Sequence, residues 1–252
     1  MENNNMINSS IKELKQKFIK IKMVPYHKSL RKGSTGIGYT FETLIGKKED
    51  SSFEPDFKGI EIKTKIGYTK CPLTLFSLTG TKDNGHSIYN KFIYYYGYNR
   101  ESKNGDRIFS HEVYANKFIE IKYSLLWRLK IDYKEKKIKL LIMNRDYEIV
   151  ENEIYWKFND IKNRLLTKLK YLALVKGYPY KKQGEIYYRY VSMTIYKLKS
   201  FDKFMELIER GIICIVFNIS GYNVGDRIIT KQRKIEFRMN FNAIDELFEK
   251  ID

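Results

Sequence analysis

The chain is poor in the residues that build several common kinds of site. Among 252 residues there are two cysteines, three histidines and four prolines. Cys71 and Cys214 lie far apart in apolar surroundings, so a disulfide framework is excluded and both read as buried thiols of a reducing cytoplasm. His27, His86 and His111 have no ligand-like spacing to one another or to cysteine, which excludes a zinc centre of the usual kind. No G-x-S-x-G elbow is present, so a serine hydrolase of that type is excluded. No apolar run approaches the ~20 residues of a spanning helix, and the start, Met1-Glu2-Asn3-Asn4-Asn5, lacks a signal-peptide pattern. No Pro/Gly/Ser linker cuts the chain, and no internal repeat is visible. The expectation is two intimately joined lobes with a cleft, located in the cytoplasm.

What is abundant is positive charge and aromatic surface. The net charge is +17, with basic residues spread from end to end. A surplus of that size favours a polyanion, and nucleic acid is the usual one. A membrane surface and a lysine-biased composition are the rival explanations. Hydrophobic residues at 43% and aromatics at 15% supply a core for one large domain or two small ones.

The most informative stretch is Pro55-Asp56-Phe57-Lys58-Gly59-Ile60-Glu61-Ile62-Lys63. Glu61 and Lys63 are two apart, so on a strand they share a face, while Ile60 and Ile62 point into a core. Asp56 sits just upstream, after a proline that favours a turn or strand entrance. This PD-x4-E-I-K arrangement is the kind that holds Mg2+ beside a phosphodiester: the carboxylates are hard oxygen ligands, and the metal polarises phosphate and activates water. The lysine can steady either the attacking water or the pentavalent phosphorus. By itself the motif is loose, because any solvated strand of a lysine-rich protein contains E-x-K.

Around it the chain reads as a mixture of helices and strands. Ile11, Leu14, Phe18 and Ile21 give a helix over 9–24. Residues 31–38 form a basic, glycine-rich turn that is not a Walker loop, since no Gly-Lys-Ser/Thr ends it. Tyr39 to Ile45 reads as a short helix stopped at Gly46, with Glu42 on it. Residues 53–66 read as a strand pair and Leu73 to Phe76 as a strand. The tyrosine-rich 80–107 is either a base-stacking loop or a hairpin packed on its own sheet. Strands alternate over 116–150, a basic amphipathic helix covers 156–170, and Tyr171 to Val175 is a buried strand. A hairpin turns at Lys182-Gln183-Gly184 and runs on to Ile195. Ser200 caps a helix through Glu209 that ends at Gly211. Ile212 to Ile219 is a strand, Gly221 to Asp226 a loop, Lys231 to Met239 a strand, and Ile244 to Ile251 a helix.

Taken in order, residues 31–44, Pro55-Asp56-Phe57, Ile60 to Thr64, Leu73 to Phe76, Tyr155 to Phe158, Lys168 to Tyr171 and Phe237 to Asn240 resemble the MvaI/BcnI group of type II restriction endonucleases, relatives of the MutH nickase with a PD-(D/E)xK nuclease core. The resemblance covers nearly the whole chain. It implies an α/β fold, a mixed central sheet flanked by helices, in a two-lobed cleft. Residues 1–155 would be mainly the catalytic lobe and 156–252 mainly the DNA-recognition lobe. It implies a Mg2+-dependent endonuclease acting on double-stranded DNA as a monomer, with a companion DNA methyltransferase in the same system. Asp56 and Glu61 would be metal ligands, Lys63 would position or activate water, and Glu42 would complete the acidic cluster. Arg31, Lys32, Lys65 and Arg238 would contact DNA. Where the family carries His-Asp-His to read guanines, this chain has Lys231-Gln232-Arg233. Lysine and arginine donate to guanine O6 and N7, and glutamine pairs with adenine; the alternative is a set of phosphate contacts or a solvated strand. A nickase cutting one strand and an inactive DNA-binding protein are the other two readings, and the intact Asp56/Glu61/Lys63 set argues against the last.

Overall fold

The computed structural model describes residues 2–48, 54–67, 69, 71–81, 88–99, 106–224 and 227–251. In chain order the elements begin with α1 (Glu2–Met23), β1 (His27–Lys28), α2 (Gly36–Leu44), β2 (Glu61–Ile66) and β3 (Leu73–Ser77). A four-residue helix α3 (Ile88–Lys91) runs into a π-turn, Phe92–Tyr96, followed by β4 (Tyr98–Asn99), β5 (Asp106–Val113), β6 (Ile119–Ile121), β7 (Leu125–Asp132), β8 (Lys137–Met143), β9 (Ile149–Glu151) and β10 (Tyr155–Lys157). The rest is α4 (Phe158–Leu169), β11 (Tyr171–Lys182), β12 (Glu185–Leu198), α5 (Phe201–Glu209), β13 (Ile213–Val224), β14 (Arg227–Met239), α6 (Ile244–Leu247) and β15 (Phe248–Lys250). This is the mixed α/β class expected from the sequence.

The contacts divide the chain into two interleaved units rather than at 155/156: residues 1–71, 165–199 and 245–252 form one, and 72–164 and 200–244 the other. The physical reason is strand pairing. β2 pairs parallel with β11, from Leu172 opposite Glu61 to Gly177 opposite Ile66, and a parallel pair requires a long crossover. Here the crossover runs from 67 to 170, and its stretch 72–164 belongs to the second unit. β3 follows β2 in sequence but pairs with β14 in the second unit.

In the first unit the sheet order is β1-β12-β11-β2, with β15 also on β12. One of its faces is covered by the helices. Leu14, Phe18 and Ile21 of α1 and Ile37 and Phe41 of α2 pack with Ile60, Ile62, Ala173, Val175 and Tyr190 in one buried cluster. The β11–β12 hairpin turns at Gln183 and Gly184, both at positive φ, as the sequence indicated.

The second unit holds two sheets, β10-β8-β7-β6 with β9 on β8, and β3-β14-β13-β5-β4. Its core is aromatic: Phe92, Phe109, Trp127, Phe217 and Phe237 are fully buried. Ser200 caps α5, its hydroxyl accepting from the Lys203 amide, and Gly211 follows at φ +71.

Several expectations change. The helix expected over 39–45 begins at Gly36. The segment around Tyr94 is neither loop nor hairpin: Arg107 and Lys122 donate to carbonyls at the C-terminal end of the π-turn, where cations oppose the peptide dipole. Residues 82–87 and 100–105 of that stretch lie outside the described residues. The loop expected over 221–226 is mostly strand, because β13 and β14 pair as far as Val224 and Arg227; Gly225 and Asp226 lie outside the described residues. The expected C-terminal helix stops at Leu247, where Phe248 turns to pair with Leu198 on β12. Cys71 is exposed in the connection before Pro72, while Cys214 is buried. No described helix is long and apolar enough to cross a membrane.

Candidate active site

The spacing of Asp56 and Glu61 follows from a tight turn. Phe57 and Ile60 exchange both backbone hydrogen bonds, at 2.9 and 2.8 Å, so only Lys58 and Gly59 form the turn. Both lie at positive φ, 43° and 87°, the type I′ geometry that a glycine at the second position makes accessible. With Phe57 opposite Ile60, Asp56 falls opposite Glu61. Residues opposite each other in an antiparallel pair share a face, so four intervening residues put two carboxylates side by side. This replaces the strand pair expected over 53–66, of which 53 lies outside the described residues. The Asp56 carboxylate is then fixed by the Ile62 amide, which donates to Oδ2 at 3.0 Å.

Glu61 is 1% exposed. Its Oε1 is 2.7 Å from Lys63 Nζ, two residues along β2. Its Oε2 is 3.0 Å from Lys168 Nζ at the end of α4, without hydrogen-bond alignment, so this buried oxygen accepts no hydrogen bond. Burial pushes the Glu61 carboxyl above the ordinary range, Lys63 pulls it back, Asp56 raises it, and Lys168 lowers it.

Glu42 is brought to this group by α2, which the sequence folds tightly against its surroundings. A Cβ at Gly36 would lie 2.5 Å from the Arg31 carbonyl oxygen and 2.6 Å from the Tyr188 hydroxyl, so only glycine fits where α2 begins. The Tyr190 hydroxyl donates to the Ile37 carbonyl at 2.8 Å, and the Leu30 amide donates to Thr40 Oγ1 at 3.1 Å. Phe41 packs edge-on against Tyr190, with ring centroids 5.1 Å apart. Glu42 is half-buried, and its carboxyl is held above the usual range, first by burial, then by the charge of Asp56, against the pull of Lys63. Asp56, Glu61, Lys63 and Glu42 are therefore assembled in one electrostatic group. Among the described residues no three Asp, Glu, His or Cys side chains form a metal-ligating set.

The residues expected to contact DNA fall in both units. Lys65 is on β2 opposite Lys176; burial holds its ammonium below the ordinary value and Lys176 adds to that, while Cys71 opposes both. The Arg31 guanidinium stacks on the Tyr39 ring at 3.8 Å, and Lys32 is exposed. In the second unit Lys231, Gln232 and Arg233 are exposed on β14. Lys231 is the extra residue of a β-bulge opposite Ser220 and Gly221, and its ammonium lies 4.4 Å from the Tyr222 ring centre and 3.4 Å from Asp106. Arg233 Nε donates to Thr230 Oγ1 at 2.7 Å. Arg238 is clamped on buried Glu236, with Nη2 at 2.6 Å from Oε2.

An α/β sheet carrying such a carboxylate–lysine group fits a phosphodiester hydrolase, and the comparisons give the class: this is a type II site-specific deoxyribonuclease. Within that class, the chain belongs to the MvaI/BcnI restriction endonuclease family, whose model matches residues 15–248. A solved structure described as a restriction endonuclease MvaI–cognate DNA substrate complex is 29% identical, covers 94% of this chain and 96% of its own, and superposes with a TM-score of 0.82. Restriction endonuclease MvaI in the absence of DNA is 28% identical, with 96% of each chain covered and a TM-score of 0.60. A comparison with curated proteins finds no significant relative.

The site's donor set suits a hard divalent cation. Mg2+ is commonly held by one or two carboxylates, with water and substrate phosphate completing its shell. Asp56 and Glu61 are such a pair, and Glu61 Oε2 is a buried oxygen with lone pairs that no hydrogen bond uses. The residue that sequence reasoning left out of the site is Lys168. It lies 114 positions from Glu54, whose carbonyl it also touches, and no local spacing links it to β2.

Proposed function

We propose that this endonuclease hydrolyses both strands of duplex DNA at a short specific site, using Mg2+ held by Asp56 and Glu61. The observation that carries this reading is the pair of carboxylates set side by side by the Lys58-Gly59 turn, with Lys63 on the same face. When bound, the cation supplies Lewis-acid polarisation of phosphate and a more acidic water. The chain's own residues do the rest. Asp56 is oriented by the Ile62 amide. Lys63 holds Glu61 Oε1 and places a positive charge where a nucleophile or phosphate oxygen gathers negative charge. Glu42, which retains a proton more readily than an exposed carboxyl, adds negative potential toward the cation.

Base reading is assigned to Gln232 and Arg233 in the second unit, phosphate contacts to Lys231 there and to Arg31, Lys32 and Lys65 in the first, and a further DNA contact to Arg238. That makes the first unit mainly catalytic and the second mainly recognitive. The enzyme acts as a monomer in the cytoplasm beside a methyltransferase that protects the host's sites. The test is digestion of fully sequenced plasmid DNA with Mg2+ and with EDTA, with the ends sequenced. Linear products sharing a short motif at their ends are expected only with Mg2+. Nicked circles alone would replace this reading with a single-strand nickase. Binding without any cutting would replace it with an inactive DNA-binding protein.

A further inference from the structure

Lys168 occupies an unusual place for a lysine. Its side chain is only 19% exposed, although lysine is almost never buried unless paired. Among the described residues its ammonium meets two groups, both in the candidate metal-ligand region. Its ammonium lies 3.0 Å from Glu61 Oε2 and donates to the Glu54 carbonyl at 3.1 Å. Glu54 immediately precedes Pro55 and Asp56, so Lys168 ties the segment that carries one carboxylate to the side chain of the other. Lys63 already holds Oε1. A buried carboxylate with a single partner would not need a second cation for hydrogen bonding, and Oε2 in fact makes none. What Lys168 supplies is positive charge at a buried oxygen whose lone pairs no hydrogen bond uses, plus a brace on the Asp56 segment.

We propose that Lys168 is a positioning residue that stands in for the divalent cation: in the metal-free enzyme it holds Glu61 Oε2 and the Asp56 segment in the binding arrangement, and it gives up Oε2 when the cation arrives. This rests on the reading of Asp56 and Glu61 as metal ligands. Ammonium and metal compete for the same oxygen. Removing the ammonium therefore has two opposite effects. The metal-free protein loses stability, because a buried carboxylate loses half its compensation. Divalent affinity rises, because a dication no longer displaces or faces a neighbouring positive charge.

The probe is Mn2+ alone, without DNA, followed by loss of the free-ion electron paramagnetic resonance signal, with thermal unfolding measured in EDTA and in Mn2+. Lys168→Met is expected to unfold at lower temperature than wild type in EDTA, to bind Mn2+ on the order of tenfold more tightly, and to gain more from Mn2+ on heating. Lys168→Arg keeps the charge and is expected to bind Mn2+ as wild type does. Lys168→Gln, which loses the charge but keeps a donor for the Glu54 carbonyl, serves as the neutral variant where methionine prevents folding. Unchanged or weaker Mn2+ binding by the neutral variants, with the Glu61-dependent site intact in wild type, overturns the stand-in role alone. If wild type and Glu61→Gln bind Mn2+ equally, the metal site itself is wrong and the stand-in role falls with it.

Discussion

On β2, Glu61 is buried and held between lysines from its own strand and from α4, whereas on β14 the residues Lys231, Gln232 and Arg233 stand exposed, with Lys231 beside Tyr222 and Asp106 and Arg233 donating to Thr230. Both regions are dense in charge, yet the two arrangements suit different tasks. Charge held away from water acts strongly on whatever enters, and its geometry is fixed before the substrate arrives. Exposed cations gain little from their surface partners and keep most of their capacity for an incoming phosphate or base edge. On the proposed function, the first region suits one reaction and the second suits adaptation to a DNA surface.

The sharpest way to break the comparison is to remove one carboxylate. Asp56→Ala or Glu61→Ala is expected to lower cleavage on the order of a thousandfold or more, since a metal ligand contributes several kcal/mol to the transition state. Binding of the cognate duplex, measured in Ca2+, should stay within a few-fold of wild type. Cleavage near the wild-type rate in either variant would remove these residues from the site.

A smaller effect is expected on β14. Arg233→Ala should weaken cognate binding by ~1–3 kcal/mol more than binding to random duplex, if its guanidinium reads a base. Lys231, aimed by the bulge at Tyr222 and Asp106, should behave differently. Lys231→Ala is expected to weaken cognate and random DNA equally and to reduce the salt slope by about one ion. Competition binding at several salt concentrations separates the two. If Arg233→Ala weakens all sequences alike, Arg233 is a phosphate contact as well.

These two regions also mark where the sequence was readable. Glu61 and Lys63 could be paired because the two-residue strand period is a local rule, and Asp56 joined them through the PD-x4-E-I-K pattern; the two-residue turn that sets Asp56 opposite Glu61 emerged only in the fold. Ser200, Gly211 and the Gln183-Gly184 turn were readable from local rules too. Lys168 was not, because its partners are far off in sequence and its position depends on the parallel pairing of β11 with β2. The contact units do not break at 155/156, because that same pairing returns the chain to the first unit from 165. Ile244 to Ile251 kept helical periodicity, but the open edge of β12 offered Phe248 a strand partner, and tertiary pairing outweighed local preference. The π-turn at Tyr94 is closed at its C-terminal end by cations of distant β5 and the β6–β7 connection, which no window around the tyrosines contains.

The smallest expected effect concerns Glu42, the half-buried member of the proposed catalytic group. Its carboxyl binds a proton more tightly in the folded protein than the ordinary 4.5 of the unfolded chain, chiefly through burial and Asp56. The sign follows from linkage. A raised folded value means that the group favours folding fully below about 4.5 and that this contribution is lost as pH rises through the folded value. At pH 7, without divalent cations, ionised Glu42 therefore works against the fold. Glu42→Gln should raise the unfolding temperature in EDTA at pH 7 by about 2 °C or less, and the gain should vanish as pH falls toward 4.5. The same variant should cut DNA more slowly, because it removes negative charge directed at the cation, a local cost in stability retained for function. A gain that is equal at both pH values would mean that packing, not charge, distinguishes the glutamine. A loss at pH 7 would mean that Lys63 and Lys47 already compensate Glu42, and the contrast between a strained catalytic group and a relaxed recognition strand would then rest on Glu61 alone.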